Sequence, residues 1–530
     1  MNKNNTNILL PEFTNIADMI EYAVNLYGDK TAYSSHNGTD IVTVSYKKMK
    51  EDILRYIAFL NKNGCKRDNI FILSENRYEY IVLFCAAICS DNIAVPINKD
   101  IEADIFQHLY NECTPKLLFF TKRVSVGKEW LTKNASHSVL IDFDEMVLPE
   151  LSCSENKNFP KIESDSIKEP CCLVYTSGTK GLPKGVMLSQ ANIISNVVTY
   201  TRRMPMKGSM MLCLPLHHMY AWTSSLFMPM MNGMNVIINE DNIELIKDMK
   251  QFSPDNIVVV PAILEFFYKR ITFLIKKSSK SEYFSELLKD NRLLEKTPEE
   301  RRSIFAEVTG DLGTRLGSAI TGAAMLNVDM ECFFEKIGVI LYSIYGTTEC
   351  SPLITVCDLG DNRIGSVGSA LECNEISIHN PDENGIGEIY VQGRNVMLGY
   401  YKRPEETINA FDGEWFKSGD LARIDNEGFV YITGRIKNLI IRSSGENVSP
   451  EELEERIMTL PNVKETLVSE RNGLIVAEVY PDVHDKNAIE LIYEGIKKIN
   501  LSLPSYKRID ITEITDVPFE RTSTKKIKRH

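Results

Sequence analysis

An α/β architecture is predicted for most of this chain, followed by a small α+β domain, and three observations predict it. Short β-rich runs alternate with helical patterns: Cys171 to Tyr175, Met210 to Leu214, Val236 to Ile238, Ile257 to Val260 and Val339 to Tyr345. Apolar residues between them recur at helical spacing, as in Ile193, Ile194, Val197 and Val198 after the N-cap candidate Ser189. After Gly434-Arg435 the pattern becomes compact, with a helix, two strands, a helix and a strand in about a hundred residues. The expected division is 1–434 and 435–530.

The first element is a helix carrying Ile16, Met19, Ile20, Ala23 and Tyr27 on one stripe and stopping at Gly28. The segment from Lys276 to Arg302 is mostly charged and polar, which predicts a solvated helical insertion, with membrane-surface or partner contact as the alternative. In the final domain, helices are expected over Glu451 to Leu460 and Asn487 to Ile499. Strands are expected near Val463 to Val468, Leu474 to Tyr480 and Arg508 to Ile514.

Length and charge narrow the function. At about 150 residues per folding unit, 530 residues predict roughly three units, so the N-terminal region is expected to be multi-subdomain. With 60 Lys+Arg against 72 Asp+Glu the formal charge is −12, which argues against a nucleic-acid binder. A 43% hydrophobic and 25% charged composition excludes global disorder. The sequence starts with one basic residue and a three-residue apolar run, so no signal peptide is expected. Its apolar stretches, Ile81 to Cys89 and Ile257 to Leu264, are too short to span a bilayer. The 12 cysteines are scattered without a CxxC pair, which predicts reduced thiols in a cytoplasmic protein. His217 and His218, if on a strand, point to opposite faces and are not expected to chelate one ion together.

The segment Tyr175-Thr-Ser-Gly-Thr-Lys-Gly-Leu-Pro-Lys-Gly-Val186 follows a predicted strand and precedes a helix. Glycines admit backbone amides to an anion, hydroxyls add donors and Lys184 adds a charge, so a phosphate cradle is expected at Thr176, Ser177, Gly178, Thr179 and Lys184. It is not a Walker A loop, because Lys184 follows Pro183 and precedes Gly185. That spacing disfavours a phosphotransferase releasing ADP.

At these residues the chain closely resembles the adenylate-forming (AMP-binding) enzyme superfamily, which includes acyl-CoA synthetases, luciferases and peptide-synthetase adenylation domains. Tyr345-Gly-Thr-Thr-Glu349, Ser418-Gly-Asp420, Gly434-Arg-Ile-Lys-Asn438, Ser444-Gly-Glu-Asn-Val-Ser-Pro-Glu-Glu-Leu-Glu454 and Arg521-Thr-Ser-Thr-Lys-Lys-Ile-Lys-Arg529 follow in the family's order. The resemblance implies an acyl-CoA synthetase-like fold whose small C-terminal domain is mobile.

The resemblance also implies roles. Glu349 would ligate Mg²⁺ bridging nucleotide phosphates, and Thr348 would donate to the α-phosphate or the substrate carboxylate. Tyr345 would stack on the adenine, with Gly346 and Thr347 beside it in the nucleotide site. Gly322, Ala323 and Ala324 would line the adenine and acyl pocket. Asp420 would accept from both ribose hydroxyls, and Arg435 would reach ribose or phosphate as a forked donor. Lys526 would stabilise charge developing during adenylation, Lys437 would occupy the hinge, and Gly445 would line the thiol tunnel. Lys525 and Lys180 stand where a glycine and a threonine are usual in the family.

The implied reaction activates a carboxylic acid with Mg-ATP to acyl-AMP and pyrophosphate, then passes the acyl group to coenzyme A or to a carrier-protein phosphopantetheine. The run Leu214-Pro-Leu-His-His-Met-Tyr-Ala-Trp222 lacks the aspartate that holds an α-amino group, so an amino acid is disfavoured. His218 resembles the histidine that borders the carboxylate in acyl- and aryl-CoA ligases. The insertion, with Val260-Pro-Ala-Ile-Leu-Glu-Phe-Phe-Tyr before it and Gly393-Arg-Asn-Val-Met-Leu-Gly-Tyr-Tyr401 later, looks most like long-chain fatty acyl-CoA synthetases. A medium- or long-chain fatty acid is therefore the expected substrate. The alternatives are an aryl-CoA ligase and a stand-alone enzyme loading an acyl carrier protein. No transmembrane segment is expected, and peripheral contact with a membrane stays open.

Overall fold

The computed structural model describes residues 10–37, 40–149, 158–176, 182–324, 326–442, 447–521 and 527–529. Two seven-stranded sheets dominate. The first runs Ile340–Ser343, Ser318–Thr321, Asn256–Val259, Ser209–Leu212, Asn235–Ile238, Thr31–Asn37 and Asp40–Ser45 in spatial order. All its pairings are parallel except the last. The second runs Gly399–Tyr400, Lys184–Ser189, Pro170–Thr176, Ile93–Ile97, Asn69–Leu73, Leu117–Phe120 and Val139–Asp142. It is parallel from Pro170–Thr176 onward and antiparallel before it. Parallel strands need both faces covered, which is why these segments read as short runs of Val, Ile, Leu and Phe rather than as alternation.

Helix Tyr78–Cys89 shows how the layers join. Tyr80 to Cys89 are all buried, as expected of a helix that is apolar all round. The Phe84 ring stacks on Trp222 at a centroid distance of 3.6 Å, tying this helix to the segment after strand Ser209–Leu212. Residues of both sheets consequently share one apolar core. Helix Ile16–Tyr27 buries the expected stripe and is capped by the Asn15 side chain, which accepts from Asp18 N. Gly28 ends it without entering the left-handed region. A Cβ there would meet Lys47 Cε and Val24 O at 2.9 Å, so close approach explains the glycine.

Three sequence expectations need correction. The glycine-rich segment joins two antiparallel strands, Pro170–Thr176 and Lys184–Ser189, and helix Gln190–Arg203 begins only after the second. The helix that follows is therefore separated from the segment by a strand, and Ser189 forms a capping box with Asn192 at its start. The charged segment is helical, but it is not merely a solvated surface. Phe284, Leu293 and Arg301 are buried, and Phe284 packs 5.6 Å from Phe305 within a second core behind the first sheet. Its spaced apolar residues were diluted by charge in the sequence. The run Val339 to Tyr345 divides into Ile340–Ser343 and Tyr345–Gly346, which belong to different sheets.

Strands Asn374–His379, Gly387–Gly393, Phe411–Asp412, Trp415–Ile424 and Val430–Arg435 form a third, antiparallel sheet. Beyond them, hairpin Val463–Arg471 and Leu474–Pro481 turns through Asn472-Gly473, both at positive φ, and strand Ile511–Ile514 adds in parallel. Helices Pro450–Met458 and Lys486–Ser502 pack on it through Leu453, Ile457, Ile492 and Ile496, giving this region its own core.

Candidate active site

Parallel strands deliver their carboxyl ends to one edge of a sheet, where α/β proteins bind ligands. At that edge of the first sheet, Ser209–Leu212 leads to His217 and His218, Ser318–Thr321 to Gly322-Ala-Ala324, and Ile340–Ser343 to Tyr345 through Glu349. The loop before the histidines is held from the second sheet. Buried Asn76 donates to Leu214 O at 3.0 Å and accepts from Leu216 N at 3.0 Å, and Trp222 Nε1 donates to Leu216 O at 2.7 Å. Gly322 is tightly packed: a Cβ there would lie 3.0 Å from Ile344 Cγ1 and 3.1 Å from Ile344 O. Ala323 is left-handed at φ 70°, and both alanines are exposed.

The two histidines lie beyond the strand end. The chain turns there, and their rings face each other with centroids 4.1 Å apart, contrary to the opposed arrangement expected on a strand. Burial, reinforced by His218 and Lys99, pushes the His217 imidazole well below its ordinary range, so that ring is neutral. Tyr220 lies close by and directs its hydroxyl towards Ile320 O at 3.4 Å.

Tyr345, Asp420 and Arg435 meet although they are far apart in sequence. Tyr345 Oη donates to Asp420 Oδ2 at 2.9 Å, and Arg435 Nε lies 2.6 Å from Asp420 Oδ1. Tyr345 is buried, and burial with the Asp420 charge raises its phenol well above the ordinary range, which keeps the donor protonated. Asp420 is placed by its pairing opposite Arg435 across two antiparallel strands, and its N–H donates to Ser418 Oγ at 3.1 Å.

A second group surrounds Glu349. Tyr400 Oη donates to Oε1 at 2.9 Å, Thr347 Oγ1 donates to Oε2, and no basic group pairs with this carboxylate among the described residues. Lys184 Nζ lies 5.0 Å from the centroid of the Tyr400 ring and pairs with Glu406. Arg403 continues the chain of charges from Glu406 to Glu112, which accepts from Tyr175 Oη at 2.9 Å. Strand Gly399–Tyr400 is carried to this place by pairing with Lys184–Ser189, and Met397 N donates to Glu349 O at 2.8 Å. Thr176 sits opposite Lys184 in the hairpin register, and Thr348 is half-buried beside Glu349. Gly346 admits the chain past Pro352, whose carbonyl oxygen would lie 1.9 Å from a Cβ.

Lys437 occupies the short turn Ile436–Asn438 after Arg435, and burial together with the Arg435 charge lowers its ammonium from the ordinary range. Asn438 Nδ2 donates to Glu451 Oε1 at 2.5 Å, and Ser449 Oγ donates to Thr433 O at 2.9 Å, so helix Pro450–Met458 is tied to the strand before the turn. Ser177, Gly178, Thr179, Gly445 and Lys526 lie outside the described residues, as do Lys180 and Lys525. Among the described residues on either side, Arg521 bridges Ile527 and pairs with Glu465 at 2.8 Å, while Arg529 pairs with Glu454.

Comparison with known proteins decides the family. A model of AMP-binding enzymes matches residues 20–401, and a model of the AMP-binding enzyme C-terminal domain matches 437–530. The chain belongs to the AMP-binding enzyme family. Among relatives of this AMP-binding enzyme is the human long-chain-fatty-acid–CoA ligase ACSBG2, 27% identical over 515 residues that cover 89% of this chain and 75% of the relative. The fold is shared with the anthranilate CoA ligase AuaEII in complex with anthranoyl-AMP, at a TM-score of 0.76 and 18% identity over 98% of this chain and 96% of the other. It is also shared with o-succinylbenzoate CoA synthetase from Bacillus subtilis in complex with ATP and magnesium ion, at 0.73 and 22% over 96% and 98%.

Asn76, Tyr220, Tyr400 and Glu406 of this AMP-binding enzyme were not singled out from sequence. Asn76 carried a faint signal, since Ser74-Glu75-Asn76-Arg77 is a polar run directly after the apolar strand Asn69–Leu73.

Proposed function

We propose that this AMP-binding enzyme is an acid–thiol ligase that converts a medium- or long-chain fatty acid, ATP and coenzyme A to acyl-CoA, AMP and pyrophosphate. The observation that carries the reading is the grouping of Lys184 and Glu349 on either side of Tyr400. It gives one cation for polyphosphate and one carboxylate free to hold a metal.

The donor set fits Mg²⁺. Glu349 is oxygen-only, half-exposed, oriented by two hydroxyls and unpaired with any cation among the described residues. A bound Mg²⁺ supplies positive charge to the phosphate oxygens. Lys184 and the hydroxyls at Thr176, Ser177 and Thr179 hold the polyphosphate, with Gly178 admitting it to the backbone. Asp420 and Arg435 hold the ribose, and the segments at Gly322-Ala-Ala324 and Tyr345-Gly-Thr347 border the base. His218 and Thr348 orient the acid. Its carboxylate oxygen then bonds to the α-phosphorus as the bond to pyrophosphate breaks, and Lys526 faces the negative charge that develops. In the second step the thiol sulfur bonds to the acyl carbon, AMP leaves with the bonding electrons, and the thiol proton passes to solvent.

Residues 1–434 and 435–530 act as the two bodies of this cycle, with Lys437 at the hinge and Gly445 along the thiol path. The human relative's name supports the fatty acid, and the CoA ligases among the structural neighbours support the acceptor. A carrier-protein phosphopantetheine is the alternative acceptor, and the anthranilate enzyme's fold keeps an aryl acid as the alternative substrate.

The test is pyrophosphate release across acetate, C4–C18 fatty acids, aryl acids and amino acids, with and without coenzyme A. A maximum at one fatty chain length that turns over faster with coenzyme A supports the proposal. A maximum with an aryl acid replaces the substrate, and held acyl-AMP that coenzyme A does not discharge replaces the acceptor.

A further inference from the structure

We infer that Tyr400 is a positioning residue with two separable roles: its hydroxyl orients Glu349 for the metal, and its ring seats Lys184 for the polyphosphate. The inference rests on the proposed function, and it concerns a residue to which the family resemblance assigned no role.

Tyr400 lies between two groups of opposite charge that must act on the same phosphates. Its Oη donates to Glu349 Oε1 at 2.9 Å, which with the Thr347 hydroxyl on Oε2 fixes the plane of the carboxylate. Each carboxylate oxygen has a second lone-pair site, so both hydroxyl contacts leave acceptor capacity for a cation.

The ring performs the other role. Lys184 Nζ lies 5.0 Å from its centroid, within cation–π range. Glu406 pairs with the same ammonium, and Arg403 engages Glu406 in turn at 3.7 Å. Polyphosphate therefore meets a lysine held from below by an aromatic face and from the side by a carboxylate.

Tyr400 is itself held rigidly. Its N–H donates to Thr407 Oγ1 at 2.9 Å, and its strand pairs through Tyr400 with Val186, two residues from Lys184. Ring, hydroxyl and lysine are thus fixed to one strand pair, while Glu349 is joined to it by the Met397 amide.

The two roles separate by substitution. Tyr400→Phe keeps the ring and removes the hydroxyl, whereas Tyr400→Leu removes both. The measurements use the full chain: titration calorimetry with ATP in EDTA, the same titration with a non-hydrolysable ATP analogue over a Mg²⁺ series, and the Mg²⁺ dependence of pyrophosphate release with the acid that the wild type prefers. For Tyr400→Phe the Mg²⁺ concentration at half-effect should rise about tenfold in both binding and release, the scale seen when the hydrogen-bond partner of a metal ligand is lost. Metal-free ATP affinity should not change. Tyr400→Leu should weaken metal-free ATP binding as well, in the direction of Lys184→Ala.

An unchanged Mg²⁺ midpoint in Tyr400→Phe overturns the hydroxyl's role. Equal metal-free ATP affinity in Tyr400→Leu and wild type overturns the ring's role. Wild-type chain that binds Mg-ATP but releases no pyrophosphate with any acid defeats the proposed function instead, and the binding titrations still decide Tyr400.

Discussion

Arg435 and Asp420 face each other across two antiparallel strands with Nε 2.6 Å from Oδ1, and Tyr345 completes the carboxylate from its other oxygen. Both oxygens of this buried acid are therefore oriented by neighbouring donors, and the proposed function has it accept from the ribose hydroxyls. Asp420→Asn preserves shape but halves the acceptor capacity and places an amide donor against Tyr345 or Arg435. The KM for ATP in pyrophosphate exchange should rise at least about tenfold, corresponding to the loss of a charge-assisted hydrogen bond. An unchanged KM would remove Asp420 from the nucleotide site.

Glu331 supplies a pH-dependent prediction remote from the chemistry. Its side chain is buried, accepts from Gly365 N at 2.9 Å, and is raised from 4.5 to about 7 by burial, with Glu335 adding to the effect. A carboxyl raised on folding stabilises the protonated native state, so that contribution is full below about pH 4.5 and is lost as pH rises through 7. Two and a half pH units correspond to about 3 kcal/mol. Glu331→Gln stays neutral, and its stability advantage over wild type should grow from pH 5 towards pH 8 in urea unfolding. Glu454, also raised to about 7, is common to both proteins and drops out of the difference. A difference that does not change with pH would show that Glu331 ionises normally.

Gly346 and Gly360 separate steric from conformational need. At Gly346 a Cβ would lie 1.9 Å from the Pro352 carbonyl oxygen, whereas Gly360 has φ 83° and no atom within 4 Å of the added carbon. Gly346→Ala should therefore cost about 3 kcal/mol or more through forced displacement of backbone, and Gly360→Ala about 1 kcal/mol. Comparable midpoints in chemical denaturation would contradict the ordering.

The proposed function assigns Lys526 and Gly445 to different steps. Lys526→Ala should reduce acyl-AMP formation by orders of magnitude while sparing thioester formation from supplied acyl-AMP. Gly445→Trp should do the reverse. Quenched-flow assays of each half-reaction read these effects separately, and equal loss in both steps would sink the assigned role of the altered residue.

Local sequence carried the strands, the stripe of helix Ile16–Tyr27 and the Ser189 cap, because each depends on neighbours within one or two turns. It also placed Tyr345, Glu349 and the Gly322 loop at strand ends. It failed where partners are distant. Nothing near Tyr400 announces that its hydroxyl meets Glu349, 51 residues away, and nothing near Asn76 announces Leu214, 138 residues away. The histidine pair was misread because alternation holds only while the backbone remains extended, and the strand ends at Leu212. The glycine-rich segment was misread because a short strand, Lys184–Ser189, intervenes before the helix.

The order of strands in the first sheet sets a timetable for synthesis. Tyr33 pairs in parallel with Val236, which follows it by 203 residues (236 − 33), and the far edge, Ile340–Ser343, is translated later still. At about 5–20 residues per second, strand Thr31–Asn37 waits roughly 10–40 s on the ribosome for that partner. Until then one edge of its hairpin with Asp40–Ser45 has no strand to cover it. Newly made chain is consequently most open to mispairing and to chaperone capture before its middle third has been translated.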